Sequence, residues 1–376
     1  MRVLITGGGT AGHVNPALAI ADAIISNEPE SVIEYVGTEK GLEGRLVEKR
    51  GMKLHAIEVM GLRRSLSLAN FKALYCAMTA RSECKRIIRE FAPDVVIGTG
   101  GYVSWPLISA AAAMGIPTVL HESNAEPGFA IKTLKNKADL ILVNFESTAK
   151  WLEGAKNRVL RVGMPVKKEF YKEKRSGAER EKHGTKQERG FHILSFGGSL
   201  GARTMNLAIL ELMKTYLKDR PWITIKHSCG AREFETIGRL FREAGLDAYP
   251  NLILTDYIYD MPAEMWSADL VISRSGASTL AELAAAEKAS ILIPSPNVTG
   301  DQQRKNAALL AAQDAAIVIE DSEAVETLSR AVKDLCEEKG RSHIRRLETN
   351  VKRFSVINCE DEIYRAVRYL VDESQK

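Results

Sequence analysis

The sequence predicts an α/β protein made of two Rossmann-like, doubly wound domains that face each other across a cleft. Three observations carry this: short β-rich apolar runs alternate with longer helical patterns, glycine-rich turns follow three of the predicted strands, and one strongly charged stretch divides two similar halves. Continuous apolar runs separated by helices indicate parallel strands covered on both faces, hence βαβ units. At 376 residues the chain exceeds the size at which one hydrophobic core keeps growing, so two domains of ordinary size are expected.

Taken in order, the first half opens with Val3-Leu4-Ile5, a helical pattern from Pro16 to Ile25, and a second strand from Val32 to Val36. Val95-Val96-Ile97 precedes a helix from Pro106 to Met114, and Thr118-Val119-Leu120 and Leu140 to Val143 complete the series. After Gly163-Met164-Pro165, the stretch from Lys167 to Arg189 is too poor in apolar residues to join a core. The second half then runs through His192 to Phe196, Ile223 to Lys226, Leu252-Ile253-Leu254, Leu270-Val271-Ile272, a helix from about Ser278, and Ile291-Leu292-Ile293. Cys359 to Leu370 places Ile363, Ala366, Val367 and Leu370 at helical spacing. The expected division is an N-terminal domain over 1–163, a charged linker over 164–190, a C-terminal domain over 191–356, and a terminal helix over 357–376 that packs back on the first domain.

Composition narrows the function. With 45% hydrophobic and 27% charged residues the chain is globular, and a net charge of +4 does not point to nucleic acid. Cys76, Cys84, Cys229, Cys336 and Cys359 are scattered and odd in number, against a disulfide framework or a zinc site. Met1-Arg2 leads directly into a strand pattern, without the h-region of a signal peptide, so a cytosolic protein is expected. Val103 to Leu120 is broken by Pro106, Gly115 and Pro117, so any membrane contact is expected to be peripheral.

Gly7-Gly8-Gly9-Thr10-Ala11-Gly12 follows a strand and opens a helix, where bare backbone and a helix N-terminus can accept a polar group closely. It also fits the dinucleotide fingerprint, with Glu39 as a stand-in for the ribose-binding acid, so an NAD-dependent oxidoreductase is one reading. Recurrence of the device at Gly98-Thr99-Gly100-Gly101 and Gly197-Gly198-Ser199-Leu200-Gly201 suits separate substrates held by two domains better than one dinucleotide. Polar residues also gather at strand ends: His121-Glu122-Ser123-Asn124, the run Ser273 to Thr279, and Asp301-Gln302-Gln303. His13 is a base candidate near neutral pH or else a satisfied structural histidine. Thr279-Leu280-Ala281-Glu282 reads equally as a capping box, with Glu282 bonded to its own helix N-terminus.

These residues resemble the MurG family of bacterial peptidoglycan glycosyltransferases. The likeness rests on Gly8-Gly9-Thr10-Ala11-Gly12-His13-Val14-Asn15-Pro16, Gly100-Gly101-Tyr102-Val103-Ser104, His121 to Asn124, Gly197 to Ala202, and Arg274-Ser275-Gly276-Ala277 through Glu282, in an order that spans nearly the whole chain. The resemblance implies a GT-B fold and an inverting transfer of N-acetylglucosamine from UDP-N-acetylglucosamine to the C4 hydroxyl of an undecaprenyl-pyrophosphoryl-muramyl-pentapeptide. A UDP-sugar epimerase of similar fold is the nearest alternative. Carried over by position, Ser199 would meet the donor phosphates, the Ile258 backbone the uracil, Glu282 the ribose, and Asn124 and Gln303 the sugar. Ala277, Ser278, Thr279, Leu280, Ala281 and Gln302 also fall on the donor side, while Thr10, Ala11, Gly12 and His13 would border the reacting centre, with His13 as the base. The chain departs from the family at Gly163-Met164-Pro165-Val166-Lys167, where Gly-Asn-Pro and a nearby Arg are usual, so Lys167 is a donor-binding candidate with a point charge instead of a planar fork. Gln is commoner than Ser at position 123.

No Asp-x-Asp stands at a strand end, and the acidic run Glu360-Asp361-Glu362 falls in the terminal helix, so no metal or other cofactor is expected. Arg63, Arg64 and Lys72 accompany Leu66, Leu68, Phe71, Leu74 and Tyr75, a basic and apolar surface expected to dock the enzyme on anionic lipid at the cytoplasmic face of the membrane. An ordinary amphipathic helix packed on its own sheet is the other reading of that segment.

Overall fold

The computed structural model describes residues 1–61, 68–155, 158–171, 190–337 and 340–376, with only the backbone described for 68–74. The chain divides into two compact units, one formed by Met1–Pro165 with Asn358–Lys376 and the other by Val166–Ile357.

In the first unit the strands are β1 (Arg2–Thr6), β2 (Val32–Gly37), β3 (Leu54–Ala56), β4 (Val95–Gly98), β5 (Thr118–Glu122), β6 (Leu140–Val143) and β7 (Arg158–Arg161). They form one sheet in the order β3-β2-β1-β4-β5-β6-β7, every pairing parallel. The connecting helices are α1 (Ala11–Asn27), α2 (Leu42–Lys49), α3 (Leu68–Phe91), α4 (Ser104–Ala113) and α5 (Phe129–Leu134). Continuous apolar strands such as Val95–Gly98 are buried along their length, as a sheet covered on both faces requires. Between β1 and β4 the strand order reverses, the topological switch point at which open α/β sheets bind ligands.

The second unit repeats the plan with β8 (Phe191–Phe196), β9 (Ile223–Ser228), β10 (Leu252–Thr255), β11 (Leu270–Ser273), β12 (Ser290–Leu292) and β13 (Ile317–Val318), ordered β10-β9-β8-β11-β12-β13. Its helices are α6 (Arg203–Leu212), α7 (Phe234–Glu243), α8 (Met261–Ser267), α9 (Ala277–Ala285), α10 (Gln302–Ala311), α11 (Ala324–Cys336) and α12 (Gly340–Val351). Here the order reverses between β8 and β11.

The terminal helix α13 (Cys359–Ser374) belongs to the first unit and packs on α1. Ile363, Val367 and Val371 form its buried stripe, and its polar flank meets the end of α1, where Tyr364 donates to Glu28 over 3.2 Å and Arg368 pairs with the same carboxylate at 3.6 Å. The strands that the apolar pattern does not reveal are β3, β7 and β13, all at sheet edges and two to four residues long. An edge strand is paired on one side only and needs no continuous apolar run.

Candidate active site

Thr6 and Gly98 are register partners on β1 and β4, so the glycine turns that follow leave the sheet side by side. A Cβ on Gly101, whose φ is +80°, would lie 2.1 Å from the carbonyl oxygen of Gly8, so only glycine allows the two backbones to touch. Gly8 N–H donates to Gly100 O at 3.4 Å, and the Thr99 hydroxyl lies between the carbonyls of His13 (2.6 Å) and Thr6 (3.2 Å).

This double turn holds His13. Its Nδ1 stands 3.2 Å from Gly8 O and 3.1 Å from Thr10 Oγ1. A carbonyl can only accept, so the proton sits on Nδ1 and the lone pair on Nε2. Burial lowers the imidazole pKa below its ordinary 6.5, opposed in part by the Gly8 bond, and the ring is neutral at pH 7. Gly100 lies against its far edge: a Cβ there would come within 2.9 Å of Cδ2 and 3.2 Å of Nε2. Thr10, Ala11 and Gly12 form the exposed rim beside it.

The acid associated with this turn is Glu43, which sequence reasoning missed. It is fully buried on α2 and accepts from Gly9 N (3.4 Å), Thr38 N (3.3 Å) and Thr38 Oγ1 (2.5 Å). Glu39, the acid that the dinucleotide reading needs, is exposed. A carboxyl beneath Gly9 engages an amide that a dinucleotide phosphate would require, which weighs against that reading.

At the end of β5, His121 is buried and donates from Nε2 to Gly163 O at 3.0 Å, while Ser123 Oγ faces Nδ1 at 3.4 Å. Burial pushes this imidazole down to about 4. Ser123, the departure from the family pattern, thus serves as the partner of His121. Glu122 is buried as well, and its carboxylate accepts from Asn124 N (2.9 Å), Asn124 Nδ2 (3.0 Å) and Gly128 N (2.8 Å). Burial raises its pKa and these donors oppose the rise. The orientation of the Asn124 amide is therefore set by its neighbour.

In the second unit the turn Gly197–Gly201 leaves β8 with Ser199 exposed on it, and Gly201 N–H closes the turn on Gly198 O at 3.0 Å. Phe196 and Ser273 are register partners, so the run after β11 emerges next to it. There Arg274 turns inward to Ile293 O (3.0 Å) and Asp321 (2.5 Å), and Ser275 Oγ donates to Gln303 O at 2.8 Å. Helix α9 starts at Ala277 after Gly276 and has no side-chain cap. The amides of Ala277, Ser278 and Thr279 lie in its first turn, where helix N–H groups have no intrahelical acceptor.

Two expectations change here. Leu280 has its amide bonded to Gly276 O at 3.0 Å and its side chain in the core, so it offers a ligand no polar group. Glu282 falls in the second turn of α9 and makes no capping bond, because the helix begins two residues before Thr279. Its carboxyl is instead pushed up to about 7 by burial, with the Lys167 charge opposing the rise. No described residue donates a hydrogen bond to it. Lys167 thus bears electrostatically on the carboxyl that the resemblance assigns to ribose.

Gln303 accepts from Ser295 N at 2.8 Å, leaving its amide hydrogens as the donors, and the Oε1 of Gln302 is buried without a partner among the described residues. Ile258 is buried in the loop after β10, and Ala281 is half-buried on α9.

Of the proposed membrane surface, Arg63, Arg64 and Leu66 lie outside the described residues, as do the side chains of Leu68, Phe71, Lys72 and Leu74. Tyr75 is 71% exposed on α3. From Ala80 onward the same helix is built into the core through Cys84, Ile87, Ile88 and Phe91, so the packed-helix reading holds for its second half.

The chain matches the glycosyltransferase family 28 N-terminal domain over residues 3–143 and the glycosyltransferase family 28 C-terminal domain over residues 192–358. It is 43% identical over 342 residues, 90% of this chain and 91% of the relative, to a UDP-N-acetylglucosamine--N-acetylmuramyl-(pentapeptide) pyrophosphoryl-undecaprenol N-acetylglucosamine transferase of Desulforamulus reducens. Among solved structures it superposes on Acinetobacter baumannii MurG with a TM-score of 0.77 at 27% identity, covering 98% of this chain and 99% of that one. A putative UDP-N-acetylglucosamine 2-epimerase of Listeria monocytogenes superposes with a TM-score of 0.67 at 11% identity over 99% of this chain and 97% of its own, a likeness of fold alone.

Proposed function

Because the chain belongs to glycosyltransferase family 28, whose two domains it matches in order, we propose that it transfers N-acetylglucosamine from UDP-N-acetylglucosamine to undecaprenyl-pyrophosphoryl-N-acetylmuramyl-pentapeptide in peptidoglycan synthesis. Its two doubly wound units have the GT-B fold. The observation that carries the donor reading is the Glu282 carboxyl: half-buried, raised to about 7 and without a hydrogen-bond donor among the described residues, it is suited to a vicinal diol such as that of ribose.

In the reaction the acceptor C4 oxygen forms a bond to the anomeric carbon as the bond from that carbon to the UDP oxygen breaks. The C4 hydroxyl proton passes to His13 Nε2, and UDP departs with the bonding electron pair. A neutral imidazole whose other nitrogen is held by a carbonyl is suited to that role. Negative charge building on the diphosphate is met by N–H groups of the Ser199 turn and of the first turn of α9, with Ser278 and Thr279 hydroxyls beside them. This scheme uses no metal. Lys167 adds a positive charge on the donor side, and the Gln303 amide and Asn124 are suited to sugar hydroxyls.

We place the enzyme peripherally on the cytoplasmic face of the membrane. The lipid acceptor and the basic and apolar run from Arg63 to Tyr75 support this, and no described helix is long and apolar enough to cross a membrane. Incubation with UDP-N-acetylglucosamine, with and without the lipid-linked muramyl acceptor, tests the assignment. A disaccharide-lipid and free UDP formed only with acceptor is the expected result; conversion of the nucleotide sugar without lipid would overturn it in favour of an epimerase.

A further inference from the structure

Beneath the donor turn of the second unit lies a buried polar chain that takes no direct part in the scheme above. Ser195 on β8 and His227 on β9 are register partners in the parallel ladder, and both are fully buried. His227 Nδ1 lies 3.1 Å from Ser195 Oγ, and its Nε2 lies 3.1 Å from Oδ1 of Asn206, a fully buried residue of α6. Asn206 Nδ2 in turn donates to the carbonyl of Cys229 at 3.0 Å.

Hydrogen-bond polarity runs one way along this chain. With its Nδ2 donating to Cys229 O, Asn206 presents its Oδ1 as an acceptor to the ring, so His227 donates from Nε2–H and accepts a hydrogen bond from the Ser195 hydroxyl at Nδ1. Burial pushes the imidazole down to about 4, opposed in part by the Ser195 backbone, which keeps the ring neutral throughout the physiological range.

Cys229 O is also the atom against which the donor turn is seated. A Cβ on Gly201, with φ +82°, would lie 2.1 Å from it, and a Cβ on Gly230, with φ +84°, would lie 2.1 Å from Gly201 N. The turn that carries Ser199 is therefore in backbone contact with the end of β9, and Asn206 ties that contact to the helix the turn opens into.

We propose that His227 is a positioning residue for the donor diphosphate: through Asn206 and Cys229 O it holds the Gly197–Gly201 turn in the geometry that presents its N–H groups and Ser199 to the phosphates. The proposal rests on the donor reading above. It assigns His227 no contact with substrate and no proton transfer.

Uridine and UDP share a base and ribose and differ in the diphosphate, so their affinities separate a positioning role from general support of the fold. Asparagine at position 227 reproduces only the Nδ1 partner of the imidazole, and glutamine places an amide N–H where Nε2–H stands. His227→Asn should weaken UDP about tenfold while uridine stays within about twofold, since a buried polar partner is lost. His227→Gln should recover most of the UDP affinity, and Asn206→Ala, which breaks the chain from the helix side, should repeat the asparagine result. Binding is measured by calorimetry on the full chain, with melting temperatures to establish that each variant is folded; should His227→Asn fail to fold, Asn206→Ala supplies the reading. Equal losses for uridine and UDP, or UDP affinity unchanged in the folded variant, would overturn the positioning role. If the parent enzyme binds UDP no more tightly than uridine, it is the donor reading that fails.

Discussion

His13 donates its Nδ1 proton to the carbonyl of Gly8 across 3.2 Å, which leaves Nε2 as the basic nitrogen of the ring. His13→Ala should accordingly lower turnover by about two to four orders of magnitude with UDP-N-acetylglucosamine affinity nearly intact. The sign of the pH dependence follows from burial, which lowers the imidazole pKa: the base form is lost only as pH falls through that lowered value. With donor saturating, turnover of the parent should be flat through neutrality and decline on the acid side, and the variant should lose that decline. A drop under about tenfold, or a matching loss of donor affinity, would remove His13 as the base.

Gly100 has φ +104°, and a Cβ there would meet His13 Cδ2 at 2.9 Å. Gly100→Ala should displace the ring and strain the turn, lowering turnover more than about tenfold with UDP affinity unchanged. Steady-state kinetics beside UDP titration checks this; full activity would show that the ring's placement does not matter.

Glu282→Gln should weaken both UDP and UDP-N-acetylglucosamine. Because burial raises this carboxyl to about 7, the folded state holds its proton more tightly than the unfolded chain does. The stability it contributes is present below the ordinary carboxylate range and is lost as pH rises towards and through 7. Glu282→Gln should therefore raise the melting temperature relative to the parent more at pH 8 than at pH 5. A lowered melting temperature with unchanged UDP affinity would restore a structural role.

Transfer should persist in excess chelator, because backbone amides and helix N-termini carry the diphosphate charge in the proposed scheme. Complete loss with EDTA, reversed by a divalent ion, is the contrary result.

Reversing Arg63, Arg64 and Lys72 to Glu should abolish binding to anionic vesicles, as basic residues at such a surface contribute roughly 1 kcal/mol each. Vesicle sedimentation reads this directly. Equal binding by variant and parent would exclude the segment as the docking surface.

The glycine turns were legible in the sequence because backbone contact and positive φ at Gly101 and Gly201 exclude every other residue, a demand that is local and leaves a visible mark. His13 could be singled out for the same reason, since it directly follows such a turn. The central strands were legible because burial on both faces requires continuous apolar runs, whereas the edge strands β3, β7 and β13 carry no such demand.

What the sequence determined by itself was the doubly wound architecture, the strand-end turns and the family. Tertiary structure decided which polar groups are already satisfied. Glu43 reaches Gly9 only because β2 and α2 return it beneath the first turn, and His227 meets Ser195 only through the parallel register of β8 and β9. Whether Glu282 caps its own helix depended on α9 starting at Ala277. That start depends on how the backbone leaves β11 at Gly276, and a pattern of residue types does not specify it. Hydrogen-bond partnership at long sequence separation is a property of packing, and periodicity, which reports only which face is buried, carries no record of it.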